Sequence, residues 1–153
     1  KGIGPAKAIT ILAACELGKR RQKATVEEAP ILNSADGIYQ FMHTTIQDLD
    51  IEEAWVLMMK QNFRLIEAKR ISVGGLTMAP VDLRLMMKEV LLKNTTVLAF
   101  CHNHPSGSTN PSRDDDILTS HIHKACELLH IHFADHVILT DGGYFSYREE
   151  GKL

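Results

Sequence analysis

Seven residues, Thr95-Thr96-Val97-Leu98-Ala99-Phe100-Cys101, limit the fold more than any others in the chain. The run is apolar, β-branched at its start and too short for a buried helix, so it reads as a strand in the middle of a sheet, covered on both faces. Residues 101–115, CHNHPSGSTNPSRDD, follow it at once and are nearly all turn-formers. A strand buried on two faces requires a layer of structure on each side. The flanking patterns supply those layers. AWVLMMK reads as a buried strand, Gln61-Asn62 as a turn, and RLIEAKRISVG as a second strand, giving a hairpin that stops at Gly74-Gly75. PVDLRLMMKEVLLKN carries a helical stripe of Leu83, Met86, Met87, Val90 and Leu91. After the long loop, SRDDDILTSHIHKACELLH is a helix and ADHVILT a strand; Asp141-Gly142-Gly143 then turns the chain into a last strand, YFSYRE. Strand, strand, helix, strand, helix, strand, strand predicts an α/β (α+β) layered domain with a mixed sheet flanked by helices. A chain of 153 residues, 44% hydrophobic and 24% charged, has the length and composition to bury one such core.

The N-terminal part reads differently. Pro5 suits the first turn of a helix that AKAITILAACELGKRR continues, with Ile9, Leu12, Ala13 and Leu17 at helical spacing. QKATVEEAP is polar and ends in Pro30, a linker; Ser34 then offers a cap for ADGIYQFMHTT. Charge divides along the same line: residues 1–23 carry a net +5 and the remainder −7. The expected units are residues 1–24 with a linker to about 30, and a main domain over 31–153. The basic segment suggests weak DNA binding, or equally a helix whose C-terminal cations complement its dipole. No apolar run approaches the ~20 residues a membrane helix needs. The three cysteines are odd in number and irregularly spaced, which argues against a disulfide framework and for a reducing, cytoplasmic setting.

The chemistry concentrates at residues 101–115. Residues two apart on a strand share a face, so His102 and His104 converge while Cys101 and Asn103 point away. Two imidazoles at a strand end are good zinc ligands, and a catalytic zinc takes three protein ligands and keeps one position open. The third ligand is expected from the next element: Ser112 stands where a helix would begin, and Asp115 falls in its first turn. Ser-x-x-Asp is equally a capping-box variant, which accounts for Ser112 and Asp115 but not for the histidines. Cys101 reads as a buried apolar side chain rather than a nucleophile. His123, Cys126 and His130 can share a helical face, yet they read as an ordinary amphipathic surface. Glu127-x-x-His130 is only half of a di-iron pattern. The contiguous tripeptide His-Asn-His is not the dispersed set of an HNH nuclease, and the zinc-deaminase pair of motifs is missing.

The full spacing, His-x-His-x7-Ser-x2-Asp at His102, His104, Ser112 and Asp115, resembles the signature of the JAMM/MPN+ metalloproteases. HNHPSG is similar to their bacterial RadC branch, as are GIGPAKA near the start, EAWVLMM, and DHVIL with YFSYREEG near the end. The resemblance implies an MPN/JAMM-type, cytidine-deaminase-like fold. It also implies one zinc ion held by His102, His104 and Asp115, and hydrolysis of a peptide or isopeptide bond in a peptide or protein substrate. The family places a water-activating glutamate just before a hydrophobic strand. Glu53 matches that place and is favoured over its neighbour Glu52; Ser112 is expected to donate a hydrogen bond to the oxyanion. Gly2-Ile3-Gly4 resembles the C-terminal half of a helix-hairpin-helix, which holds DNA phosphate at a helix start. The alternative function is therefore a DNA-binding or DNA-repair accessory module with a structural or vestigial metal site.

Overall fold

The computed structural model describes residues 4–23, 29–47, 49–74 and 81–153. Gly2 and Ile3 of the expected half motif, and residues 24–28 of the expected linker, lie outside the described residues. The elements are α1 (Pro5–Lys23), α2 (Ala35–Ile46), β1 (Glu53–Met59), β2 (Leu65–Val73), α3 (Leu83–Leu92), β3 (Val97–Asn103), α4 (Arg113–Leu128), β4 (His132–Thr140) and β5 (Gly143–Ser146). The five strands form one mixed sheet in the order β2-β1-β3-β4-β5. Only β3 and β4 run parallel, and α4 is the crossover that parallel neighbours require.

The apolar run of β3 occupies the centre, and all its residues are buried. Alternation along the strands divides the core in two. On one face Leu57, Met59, Ala99, Cys101 and Val137 pack beneath Ile38, Met42 and Ile46 of α2. On the other, Val56, Met58, Leu98 and Phe100 pack beneath Met86 and Val90 of α3 and Ile122 and Cys126 of α4. The helices were cut to this task. The apolar positions of α2 recur at Ala35, Ile38, Met42 and Ile46, and Ser34 caps it by accepting from Gly37 N at 3.1 Å. Asp82 caps α3 in the same way through Arg84 N.

The last strand is shorter than the sequence predicts, ending at Ser146 rather than running through YFSYRE. Ser146 and Asp135 explain the stop. The Ser146 hydroxyl donates to Asp135 Oδ2 at 2.5 Å and accepts from Glu149 N at 3.0 Å, while Asp135 Oδ1 accepts from Arg148 N at 3.1 Å. Those bonds turn the backbone out of the ladder and lay Tyr147 flat against His136, ring centroids 4.7 Å apart.

Candidate metal centre

His102 and His104 leave the end of β3 and Asp115 stands in the first turn of α4, so the parallel crossover itself brings them together. One ligand-type atom from each lies within 4.8 Å of the others, and this is the only such group among the described residues. The hydrogen bonds around it fix which ring nitrogens carry protons. Thr119 Oγ1 is 2.6 Å from the Asp115 backbone carbonyl and 2.6 Å from His136 Nδ1. The carbonyl can only accept, so the hydroxyl donates to it and accepts from His136 Nδ1–H. His136 Nε2 is then a lone pair, and it accepts from His102 Nδ1–H at 2.9 Å. His102 Nε2 is left bare. On the other side His104 Nδ1 donates to the Ser108 carbonyl at 2.7 Å, which leaves His104 Nε2 bare as well. These tautomers are assigned from the network.

The two bare nitrogens lie 2.9 Å apart, and Asp115 oxygens stand 3.2 Å from His102 Nε2 and 3.7 Å from His104 Nε2. Burial opposes the charge on Asp115, but its contacts with His102, His104 and Ser112 outweigh it and hold the carboxyl well below the usual range, so it is ionised. Asp115, ahead of the opposing effect of burial, raises the pKa of His104, a sign that the cluster favours positive charge. Burial drives the His136 pKa well down and keeps that ring neutral, as its place in the chain of bonds requires. Two imidazole lone pairs and a carboxylate facing one another are three acceptors without a donor. A shared proton satisfies one pair; a divalent cation satisfies all three. Imidazole nitrogen with carboxylate oxygen is a zinc-type donor set, so the residues fit that ion.

The loop and the cap hold the candidate ligands in place. Gly107 N donates to the His104 carbonyl at 3.0 Å, closing a turn with Pro105 and Ser106 at its centre. Gly107 itself has φ +76°, which a side chain would resist. That turn swings Ser108 back to the His104 ring. At α4 the capping box is complete: Ser112 Oγ accepts from Asp115 N at 3.2 Å, and Asp115 Oδ2 accepts from Ser112 N and from Ser112 Oγ, each at 2.7 Å. The cap and the ligand are thus one device. It occupies Oδ2 and leaves Oδ1 toward His102. The Ser112 hydroxyl proton is directed at Asp115, so in this structure Ser112 orients the carboxylate instead of standing as a free oxyanion donor.

Glu53 opens β1 directly before Ala54, as expected, but its side chain faces away from the candidate centre. Ala54 pairs across the sheet with His102 and shares its face, so its neighbour Glu53 points to the other side. There Glu53 is buried, ion-paired to Arg70 Nη1 at 2.6 Å and accepting from Trp55 Nε1 at 3.1 Å. Glu52, just outside the strand, lines a cavity together with His102 and Asp115. Its backbone is pinned on both sides. Asn103 Oδ1 accepts from Glu53 N at 2.7 Å, Asn103 Nδ2 donates to the Ile51 carbonyl at 3.0 Å, and Gly74 N donates to the Glu52 carbonyl at 2.8 Å. Asn103, His136 and Thr119 were not singled out from the sequence. A histidine inside the apolar run ADHVILT was the visible signal for His136, since a buried polar ring must find partners.

The remaining candidates are not part of this group. Cys101 is fully buried on the face opposite His102, and burial raises its thiol pKa far above the ordinary value. Cys126 is buried in the core beneath α4, its thiol pushed up to about 12, while His123 and His130 are exposed.

Comparison with known proteins places the chain in a family. A family model described as the RadC-like JAB domain matches residues 32–152. A UPF0758 protein of Flavobacterium johnsoniae is 39% identical over 151 residues, covering 99% of this chain and 66% of the relative. A UPF0758 protein of Porphyromonas gingivalis is 36% identical over 154 residues, covering 100% of this chain and 68% of the relative. The chain therefore spans about two thirds of the length of these relatives. With a matched model over most of its length, and a mixed sheet whose parallel crossover gathers two histidines and an aspartate, the chain belongs to the RadC-like JAB domain family.

Proposed function

We propose that the chain is a zinc-dependent hydrolase of the JAMM/MPN+ class, cleaving a peptide or isopeptide bond. The observation that carries this reading is the grouping of His102, His104 and Asp115 at the side of a cavity, with a carboxylate, Glu52, at the same cavity but outside the group. A closed structural site would enlist a fourth side chain; the group among the described residues has three, the number with which a catalytic zinc would keep one position for water and substrate. His102, His104 and Asp115 would hold the ion, which supplies Lewis-acid polarisation of a carbonyl and acidifies a water. The protein's own part is proton transfer. Glu52 takes the proton of the attacking water and passes it to the leaving amine, so that water and amide become acid and amine. Ser112 keeps Asp115 aimed, and His136 keeps His102 in the tautomer that presents Nε2.

The test is a pair of isosteric substitutions assayed with zinc-loaded protein on a proteome-derived peptide library. Glu52→Gln is expected to keep its zinc and lose about 10²–10⁴-fold in rate, the range of general-base removal. Glu53→Gln is expected to keep both zinc and rate and to melt lower, since it weakens the bond with Arg70 by about 1–3 kcal/mol. Loss of zinc from Glu52→Gln, or no cleavage of any peptide by the zinc-loaded wild type, overturns the reading.

A further inference from the structure

The cavity that adjoins the candidate metal centre has a lining of its own. It encloses about 270 Å³. Its floor is Phe100 and Ala54, both on the His102 face of the sheet, and Ala54 is the direct cross-strand partner of His102. A methyl group at that position leaves room beside the imidazole where a larger residue would stand. Its wall is one face of α4. Asp114, Ile117, Leu118 and His121 recur at helical spacing and all line the cavity, while the stripe beside them, Thr119, Ile122 and Cys126, is buried against the sheet. Val81 also lines it. Ile117 is 45% exposed although it borders a depression rather than open surface. Among the described residues no lysine or arginine lines the cavity, and two carboxylates outside the candidate metal set, Glu52 and Asp114, add negative charge. The volume suits one branched or aromatic side chain. The charge provides no partner for an acidic one and repels it.

We infer that this cavity is the side-chain pocket of the substrate and takes an uncharged, branched or aromatic apolar side chain next to the scissile amide, excluding aspartate and glutamate. The inference rests on the hydrolase reading above and adds the substrate class. Position gives it force: a chain whose carbonyl is at His102 and Asp115 must place a neighbouring side chain against Ala54, Phe100 and Leu118 or leave that apolar lining wet. Discrimination comes from two terms, burial of the side chain's methyl groups and the unpaired charge that an acidic side chain would bring into the cavity.

Simple hydroxamates test this without turnover, because the hydroxamate group anchors on zinc and the acyl chain reports the pocket. Binding of acetohydroxamate, 4-methylpentanohydroxamate, 3-phenylpropanohydroxamate and the monohydroxamate of succinate to the zinc-loaded protein is measured by calorimetry. The two apolar chains should bind at least about ten-fold tighter than acetohydroxamate, at a few-fold per buried methylene. The succinate compound should bind no tighter than acetohydroxamate. Ile117→Lys changes an exposed wall position without touching the fold; it should narrow the apolar advantage to within about three-fold and improve the succinate compound. Ala54→Ile should abolish the apolar advantage by filling the floor. If acetohydroxamate binds and the longer chains gain nothing, or if Ile117→Lys leaves the ranking unchanged, the pocket assignment is overturned while the open metal site stands. If no hydroxamate binds the zinc-loaded protein, the open site is overturned and the pocket with it.

Discussion

His136 is fully buried in the middle of β4, yet every polar atom of its ring is used. Nδ1–H goes to Thr119, Nε2 accepts from His102, and one face stacks on Tyr147 with the planes 4° apart. Removal of this ring frees His102 to rotate and to adopt the tautomer that turns a proton toward the candidate metal position. His136→Ala is therefore expected to weaken zinc binding by about 10–100-fold, the usual effect of losing a partner behind a ligand. His136→Gln should recover most of that, because an amide offers an acceptor and a donor at nearly the spacing of the two ring nitrogens. Chelator competition gives the affinities, and the visible spectrum of the cobalt-substituted protein reports whether the ligand geometry survives. Equal zinc affinity in wild type and His136→Ala would remove the ring from the site. At this scale the grouping of the candidate ligands was legible, since His102, His104 and Asp115 are placed by strand alternation and a helix start. His136 was not, because the element that places it beside His102 joins the sheet through a parallel pairing that spans 34 residues of sequence.

The elements show where a one-residue boundary decides chemistry. β1 begins at Glu53, and the difference between Glu52 and Glu53 is which face each carboxylate meets. Hydrophobic patterning identified the strand correctly and could not set its phase, because Trp55, Leu57 and Met59 are as apolar as Ala54, Val56 and Met58. Only pairing with β3, where Ala54 meets His102, fixes it. Asn103 makes that phase rigid. It faces away from the histidine beside it and bridges Ile51 and Glu53, so the backbone around Glu52 cannot drift. Asn103→Ala should leave zinc content unchanged and lower kcat by about 10–100-fold, with a smaller effect on KM, as expected for a displaced catalytic group. An unchanged kcat in a folded, zinc-loaded Asn103→Ala protein would show that Glu52 is held by other means. The same logic explains the clear reading of α4. A Ser-x-x-Asp cap is local, so its sequence spacing alone fixes where the carboxylate sits, and the cap leaves Asp115 beside the two histidines instead of drawing it away.

At the scale of the whole molecule the candidate centre is a junction. His102 and His104 come from the end of β3, Asp115 from α4 and the supporting His136 from β4. An ion held there ties the crossover helix to two central strands, and the unfolded chain offers no such site. Binding to the folded state alone stabilises it in proportion to the logarithm of free metal over the dissociation constant, about 2.7 kcal/mol at a hundred-fold excess. For a domain of this size that corresponds to a rise of roughly 5–10 °C in Tm, at about 2–4 °C per kcal/mol. Chelation should therefore lower the Tm by that amount, and restoring zinc should recover it. The difference between zinc-loaded and chelated protein should disappear in His102→Ala and in Asp115→Ala. It should persist in His123→Ala, whose ring lies exposed on the far side of α4's buried stripe. Scanning calorimetry of the four proteins with and without chelator checks this. A chelation effect that survives in His102→Ala would mean the stabilising ion sits elsewhere, and a wild type indifferent to zinc would mean the three acceptors do not form a metal centre.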